Sequence, residues 1–412
     1  MSEPHIPEWM SHLATPTGRD EGTADLQPTP ARGAEAGTAV TTESPATTDN
    51  DILAAAARWP GSEGPDQHSG AIGLSRHASP PMAAFTAPPP ARAMPRPPGS
   101  VLGGGVRPVP ASGWRRAVYV LSGGTLNAGE SPKDVADHDL NVRISAPVYA
   151  DHRVAVLSLK GGAGKTTTVV GIGSAMAEVR NDRILGIDVN PDMGGLAHRV
   201  APASHASATA GSTATIYDLI ESGRHSKYAD VRAHTVEADT GLQVLASHSD
   251  PARSDALTAD QVQTALTMVA DHYQVLLADC GTGITHPATS GVLQSADSVV
   301  VPTLLDEAAI HRAWFVLDWL DAHHMPDLAA RAVVVVNQAP SGRDQRLTRV
   351  TDYFAQRVRA VVAVPADRHL AEGGPIYWDR LHHRTRHAYR SLAAAVADDF
   401  ATKFATAAGQ RL

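Results

Sequence analysis

Cysteine is almost absent from this sequence, because Cys280 is the only one among 412 residues. A single thiol excludes an internal disulfide framework and a cysteine-rich metal site, and it fits a reducing compartment. No run of about 18 apolar residues occurs, so the sequence predicts no transmembrane helix. The first residues also lack the basic and apolar regions of a secretory signal. We therefore expect a cytoplasmic protein.

Net charge is also low, at −8. A weakly negative chain is not drawn as a whole toward nucleic acid or anionic lipid, so either contact needs a local basic patch. One basic patch lies near the C-terminus and comprises Arg380, Arg384, Arg386 and Arg390 with His382, His383 and His387. DNA binding through this patch is kept as an alternative, but a solvated helix is favoured. The final residues lack the lysine-rich amphipathic pattern of a membrane anchor, so we expect no direct membrane anchor.

Residues 1–112 differ in composition from the rest of the chain. They hold 18 of the 29 prolines and contain no lysine. A segment rich in Pro, Ala and Thr cannot bury enough apolar surface to offset its chain entropy, so a disordered tail is predicted. The pattern of residues 113–150 predicts a short N-terminal extension of the next domain. It has a strand at Val118–Leu121, a turn at Gly123-Gly124 and a helix whose cap is Ser131.

Apolar segments alternate with helical patterns over residues 151–412. Short, continuously apolar strands are predicted at Val154–Leu159, Ile184–Ile187, Leu242–Leu245, Val275–Ala278, Ser298–Val301, Ala332–Val336 and Val361–Val364. One helix is predicted after the first strand and ends at about Arg180. A second begins at Thr258, which forms a capping box with Gln261. Two more are predicted over Ile310–Leu320 and from about Trp378. This alternation predicts an α/β domain with a doubly wound, mainly parallel sheet that is buried on both faces.

A glycine-rich loop lies between the first of these strands and the following helix. It reads Lys160-Gly161-Gly162-Ala163-Gly164-Lys165-Thr166-Thr167. Glycines let backbone N–H groups curl around phosphate oxygens, and the helix N-terminus adds partial positive charge. We expect Lys165 to reach the β and γ phosphates and Thr166 to place its hydroxyl on Mg²⁺. The loop therefore predicts binding of ATP and Mg²⁺.

This loop departs from the usual pattern G-x-x-x-x-G-K-S/T, because Leu159 occupies the first glycine position and Lys160 is an additional lysine. In this form it resembles the MinD/ParA group of P-loop ATPases, which carry a deviant Walker A motif. The resemblance implies a P-loop NTPase fold and a homodimer that forms when ATP is bound. In such a dimer, Lys160 would touch the phosphates of the partner's ATP.

Two aspartates complete the predicted site. Asp188 matches the first aspartate of the family segment D-x-D-P-Q, which helps to organise Mg²⁺ and the lysine. Asn190 replaces the second aspartate, which positions or activates the attacking water. Asparagine can orient water but cannot take its proton, and such help is typically worth about 10²–10⁴-fold in rate. Asn190 therefore predicts slow hydrolysis and leaves the prediction of ATP binding unchanged. Asp192 is an alternative candidate for the role of the missing aspartate.

Asp279 ends an apolar strand in the manner of a Walker B motif, so we expect it to hold Mg²⁺ through water. Gly281-Thr282-Gly283 follows and resembles switch II. The resemblance also implies that Asn337 pairs with the adenine edge and that the backbone at Pro365 faces the adenine. Ordinary turns remain alternatives for Asn337 and Pro365.

Residues 115–400 also resemble a narrower group, the MinD-like ATPases of actinobacterial type VII (ESX) secretion. The resemblance is carried by Leu121–Asn127, the Lys160 loop, Ile187–Asp192 and Ala278–Gly283. It implies a regulatory, dimerising ATPase with slow hydrolysis that is recruited to a protein partner in a membrane secretion complex. The alternatives are a ParA-like positioning ATPase that binds DNA or cargo, and an ATP sensor that does not hydrolyse.

Overall fold

The computed structural model describes residues 109, 113–129, 131–191, 194–200, 215–248 and 250–401. The predicted disordered tail lies outside these residues apart from Val109, and Asp192 also lies outside them. Contacts divide the described chain into a short unit that ends at Ala136 and a larger unit that begins at Asp137. None of the described helices has the length and apolar character needed to cross a membrane.

The short unit begins with a helix, α1, at Gly113–Leu121. The strand predicted at Val118–Leu121 is therefore wrong. Trp114, Val118 and Leu121 recur at i, i+4 and i+7, which is helical spacing, and the described part of this unit offers no strand for pairing. A four-residue apolar run without a partner strand thus follows its helical pattern.

The apolar face of α1 points away from the rest of its unit. Trp114 is 68% exposed and Leu121 is 87% exposed. On another side of the helix, the Arg115 guanidinium donates to the carbonyl of Ala128 at 3.4 Å. The predicted turn follows α1, with Gly123 and Gly124 both at positive φ.

The next helix, α2, covers Pro132–Ile144 and begins as predicted. The Ser131 Oγ accepts from the Asp134 N–H at 3.1 Å, and the Asp134 carboxylate accepts from the Ser131 N–H at 3.3 Å. This reciprocal pair satisfies two N–H groups that have no partner inside the helix.

A single eight-stranded sheet forms the centre of the larger unit, in the order β3-β4-β2-β5-β1-β6-β7-β8. The strands are β1 His152–Val156, β2 Ile184–Val189, β3 Val236–Glu237, β4 Gln243–Leu245, β5 Val275–Cys280, β6 Ser298–Leu304, β7 Val333–Ala339 and β8 Ala360–Pro365. All neighbours are parallel except β3, which runs antiparallel to β4. The predicted mainly parallel α/β fold is confirmed, and only the two-residue strand β3 was not predicted.

Helices connect and cover the strands. They are α3 Lys165–Val179, α4 Leu196–Arg199, α5 Ile216–Ser222, α6 Tyr228–Arg232, α7 Pro251–Asp255, α8 Ala259–Ala270, α9 Pro287–Leu293, α10 Glu307–Ala322, α11 Pro326–Ala330, α12 Gln345–Ala355, α13 Arg368–Ala371 and α14 His383–Ala397. The predicted capping box at the start of α8 is present, with Thr258 and Gln261 bonded in both directions. The long C-terminal helical region is divided, because a 3₁₀ turn at Trp378–Arg380 precedes α14.

Helix α3 is buried on most of its surface, because it packs between the sheet and α14. Two glycines make this close packing possible. A Cβ at Gly171 would clash with the ring of Tyr389, and a Cβ at Gly173 would lie 2.6 Å from Leu242. Helix α3 begins directly after the glycine-rich loop, so the position of that loop depends on how α3 is packed.

Substituting Gly171→Ala should destabilise the protein, because the Tyr389 ring is fully buried and has no room to retreat. Overpacking of this kind typically costs about 1–3 kcal/mol. Urea unfolding followed by circular dichroism measures the effect. The matched control is Gly374→Ala, where a Cβ meets no atom within 4 Å. Equal stability of the two variants would contradict the packing described here.

Candidate functional site

The glycine-rich loop connects β1 to α3 at the carboxyl edge of the sheet. Gly162 has φ 77° and Gly164 has φ 90°, a left-handed conformation that favours glycine. Gly164 is the N-cap of α3 and no side chain caps the helix there. A glycine N-cap brings no side chain to the first turn of α3, where the N–H groups of a phosphate cradle lie. Lys165 is the first residue of the helix and is only 8% exposed.

Asp188 and Asp279 lie side by side at this edge, because β2 and β5 are neighbours and pair these two residues in register. Both carboxylates are fully buried. Burial raises the pKa of Asp279, and the neighbouring charge of Asp188 raises it further, against the hydrogen bond from Thr166 and the charge of Lys165. Burial also raises the pKa of Asp188, against the N–H groups of Leu196 and Asn190. Two buried, neighbouring carboxylates are stabilised by positive charge beside them.

The atoms around Asp279 fit Mg²⁺. The Thr166 hydroxyl donates to Oδ2 of Asp279 at 2.6 Å, while Oδ1 is buried and has no hydrogen-bond partner among the described residues. A hydroxyl and carboxylate oxygens are hard ligands of the kind Mg²⁺ selects. The described residues contain no cluster of three or more side chains that would hold a metal alone. Mg²⁺ is usually held by one or two protein groups together with phosphate oxygens and water, and Thr166 and Asp279 are two such groups.

The segment after β2 folds back over these carboxylates. Asp188 accepts from the N–H of Asn190 at 3.2 Å and from the N–H of Leu196 at 2.9 Å. The Asn190 carbonyl accepts from the Ser254 hydroxyl at 3.1 Å. A Cβ on Gly281 would lie 2.9 Å from the Asn190 side-chain oxygen, so the asparagine lies directly against the turn that follows Asp279.

Lys160 is the first residue of the loop, and its side chain is partly exposed. Its Nζ donates to the Asp306 carboxylate at 2.7 Å, and both side chains are partly exposed. Asp306 also caps α10 by accepting from the Ala309 N–H at 2.9 Å. Burial acts to raise the pKa of Asp306, but the hydrogen bonds from Lys160 and Ala309 outweigh it and hold that pKa below its usual value. Sequence reasoning missed Asp306, although Asp before an apolar helix is a readable cap signal.

Asn337 and Pro365 lie on the neighbouring strands β7 and β8, Asn337 two residues before the end of β7 and Pro365 at the end of β8. The Asn337 Nδ2 donates to the Ala163 carbonyl at 2.7 Å and to the Thr168 hydroxyl at 3.3 Å. The amide nitrogen is thus engaged in holding the glycine-rich loop, and any contact with an adenine edge would fall to Oδ1. Pro365 precedes a cleft of about 410 Å³ that is lined by Ala366, Asp367, Arg368, His369, Glu372, Arg380 and His382.

The predicted basic patch is partly neutralised. Arg390 pairs with Glu178 at 3.3 Å, and His387 contacts Asp137 at 3.2 Å. The patch therefore offers less positive charge to a DNA backbone than its sequence indicates.

The chain is similar to known proteins in sequence and in fold. The sequence model of an AAA domain family matches residues 152–319. The chain is 36% identical over 291 residues to the ESX-1 secretion-associated protein EspI of Mycobacterium tuberculosis, in strains CDC 1551 and H37Rv. The match covers 70% of this chain but 42% of EspI, so the chain spans less than half the length of these relatives.

Two solved structures are similar at lower identity. A ParA family ATPase from Chlorobium tepidum TLS is 16% identical with a TM-score of 0.48, over 58% of this chain and 98% of that one. The septum site-determining protein MinD from Pyrococcus horikoshii OT3, complexed with Mg-ADP, is 18% identical with a TM-score of 0.47, over 59% and 94%.

The glycine-rich loop and the paired aspartates at the sheet edge form a site of the P-loop type, and the match to the AAA domain family covers the residues that build it. The chain is similar in sequence to the ESX-1 secretion-associated protein EspI. The resemblance that the sequence predicts is thereby confirmed.

Substituting Lys165→Ala should weaken binding of fluorescent ATP by about 10²-fold or more, because charge-assisted hydrogen bonds to phosphate are each worth about 1.5–3 kcal/mol. A fluorescence titration at fixed Mg²⁺ measures this loss. Lys227→Ala is the matched control, since Lys227 is exposed and lies at the start of α6. Unchanged affinity in the Lys165 variant would mean that the loop does not hold the nucleotide.

Proposed function

We propose that this chain is an ATP-dependent switch of a type VII secretion machine. It binds Mg-ATP at the glycine-rich loop, dimerises through Lys160 and engages a protein partner as the dimer. The proposal is supported by the similarity to EspI, a secretion-associated protein by its name. The observation that carries it is the position of Lys160, at the rim of the phosphate loop and on a partly exposed ion pair.

The phosphates, the Mg²⁺ ion and the base would each be held by a different set of residues. Lys165 and the backbone from Gly161 to Thr167 would hold the phosphates. Thr166 and Asp279 would hold Mg²⁺, and the neighbouring Asp188 would help to organise the ion. The ion would neutralise phosphate charge. Asn337 and Pro365 would border the base.

Lys160 is available for transfer to a second copy because its present partner is weakly held. Ion pairs between exposed side chains contribute about 0–1 kcal/mol, which a phosphate in the partner's site would readily exceed. The lysine would then leave Asp306 and reach across the dimer. The protein would act in the cytoplasm and be recruited to the secretion complex in the membrane through its partner.

Light scattering of the wild type and of Lys160→Ala, with Mg-ADP and with a slowly hydrolysed ATP analogue, tests dimerisation. The wild type should double its mass only with the ATP analogue, and Lys160→Ala should remain monomeric while it still binds nucleotide. A wild type that stays monomeric under every condition would overturn the switch.

Asp306→Asn should have the opposite effect to Lys160→Ala in the same experiment, because it should promote dimerisation. Removing the carboxylate charge frees Lys160, so dimers should form at up to about fivefold lower protein concentration, the equivalent of about 1 kcal/mol. Asp321→Asn is a matched control, because Asp321 lies on the same helix and pairs instead with Arg357.

Asn190 favours a second candidate function, an ATP sensor that hydrolyses little or not at all. Its amide lies against the turn after Asp279, where it can orient water but not accept a proton. A sensor would bind ATP, dimerise and persist until the nucleotide dissociates.

Phosphate release by Asn190→Asp distinguishes the sensor from the hydrolysing switch. If the missing carboxylate limits turnover, the variant should gain at least about tenfold, toward the 10²–10⁴-fold that such groups supply. Asn181→Asp, at an exposed position, controls for added negative charge. Rapid wild-type turnover with no gain in the variant would reject the sensor.

A further inference from the structure

The short helix α4 connects the nucleotide site to a distant part of the chain. Its first residue is held at the site, because the Leu196 N–H donates to the Asp188 carboxylate. Its last residue, Arg199, carries two contacts to elements that are far away in sequence. One of them belongs to α3 and the other to the segment after α13.

The Arg199 guanidinium bridges these two elements. One nitrogen donates to the Thr167 hydroxyl at 3.2 Å, and the other donates to the Gly374 carbonyl at 2.7 Å. The backbone repeats the connection, since the Arg199 carbonyl accepts from the Ile376 N–H at 2.9 Å and Val200 forms a parallel bridge with Ile376. Burial lowers the pKa of Arg199, so its hydrogen bonds have to compensate for lost water.

The segment on the far side of this bridge is anchored at one end and exposed at the other. Residues 371–375 are exposed, while Ile376 and Trp378 are buried, each with only 5% of its surface exposed. Gly373 has φ 75°, which lets the chain turn sharply before the anchored part. Movement of Gly374 would therefore alter a surface without disturbing the core.

We propose that Arg199 is a positioning residue that couples occupancy of the nucleotide site to the exposed segment at residues 371–375. The proposal rests on the proposed function, because the signal is a bound nucleotide. Thr167 lies in the first turn of α3, where phosphates would be held. Its hydroxyl can donate to a phosphate oxygen and still accept from Arg199, and each bond polarises the other. A nucleotide would thus tighten the Arg199 bridge and immobilise Gly374.

Arginine suits this role better than lysine. Its planar guanidinium presents several N–H donors in a fixed fork, so it can reach a hydroxyl and a carbonyl at once. A lysine ammonium on a flexible stem would not hold both acceptors in one geometry. Both Arg199→Lys and Arg199→Gln should therefore break the coupling.

A single label at Gly374 tests the coupling. Cys280 is the only cysteine and is buried, so Gly374→Cys adds one accessible thiol, at a position where a Cβ meets no atom within 4 Å. Fluorescence anisotropy of a dye on this thiol reports local mobility. Saturating Mg-ADP should raise the anisotropy in the labelled parent and in an added Arg346→Gln control, whose guanidinium donates to Asp344 two residues away. Added Arg199→Gln or Arg199→Lys should remove most of that rise.

A second pair of variants addresses the other end of the bridge. Thr167→Ser keeps the hydroxyl and should keep the anisotropy response, whereas Thr167→Val should lose it at saturating nucleotide. Titration with fluorescent ADP runs in parallel. The Arg199 variants should lose no more than about tenfold in affinity, the worth of one hydrogen bond.

The outcomes separate this proposal from the proposed function. A labelled parent that binds no nucleotide defeats the proposed function, and the coupling falls with it. A parent that binds nucleotide but shows no anisotropy change overturns the coupling alone. A response that survives Arg199→Gln also overturns it. Complete loss of nucleotide binding in both Arg199 variants would mean that Arg199 contacts the nucleotide directly. That result would also overturn the coupling.

Discussion

Asp188 and Asp279 are buried side by side at the ends of two neighbouring parallel strands, and the rest of the site is arranged around that pair. Two desolvated carboxylates repel each other, so the fold surrounds them with donors and positive charge. Thr166 donates to one, the N–H of Leu196 donates to the other, and Lys165 lies in the helix turn above them. The same electrostatic demand that makes this pair costly also makes the edge of the sheet a place for a cation and phosphates.

The site combines a rigid centre with a changeable rim. The aspartates belong to fully buried strands, and the loop that faces them is held by Asn337 through a buried hydrogen bond. Lys160 and Asp306, in contrast, form a partly exposed ion pair that is weak enough to exchange partners. Arg199 lies between these extremes, because it is partly buried yet bonded to an exposed segment. In the proposed switch, nucleotide binding would fall to the rigid residues and reversible signalling to Lys160 and Arg199.

The parts of the fold that the sequence predicts are those with strong local patterns. Continuous apolar strands indicate a parallel sheet, and glycines followed by Lys165 and Thr166 indicate the phosphate loop. Pairings between distant side chains carry no such pattern: Lys160 meets Asp306 across 146 residues, and Asn337 meets Ala163 across 174. The strand predicted at Val118–Leu121 fails for a related reason, since a short apolar run becomes a strand only where another strand can pair with it.

The strand β3 at one edge of the sheet has a consequence for self-association. It contains two residues, Val236 and Glu237, and the glutamate is tied to Arg232 by an ion pair at 2.6 Å. A strand added at this edge would find few backbone groups to pair with and would have to displace a charge. This edge of the sheet is thereby a poor template for amyloid-like stacking and for strand exchange.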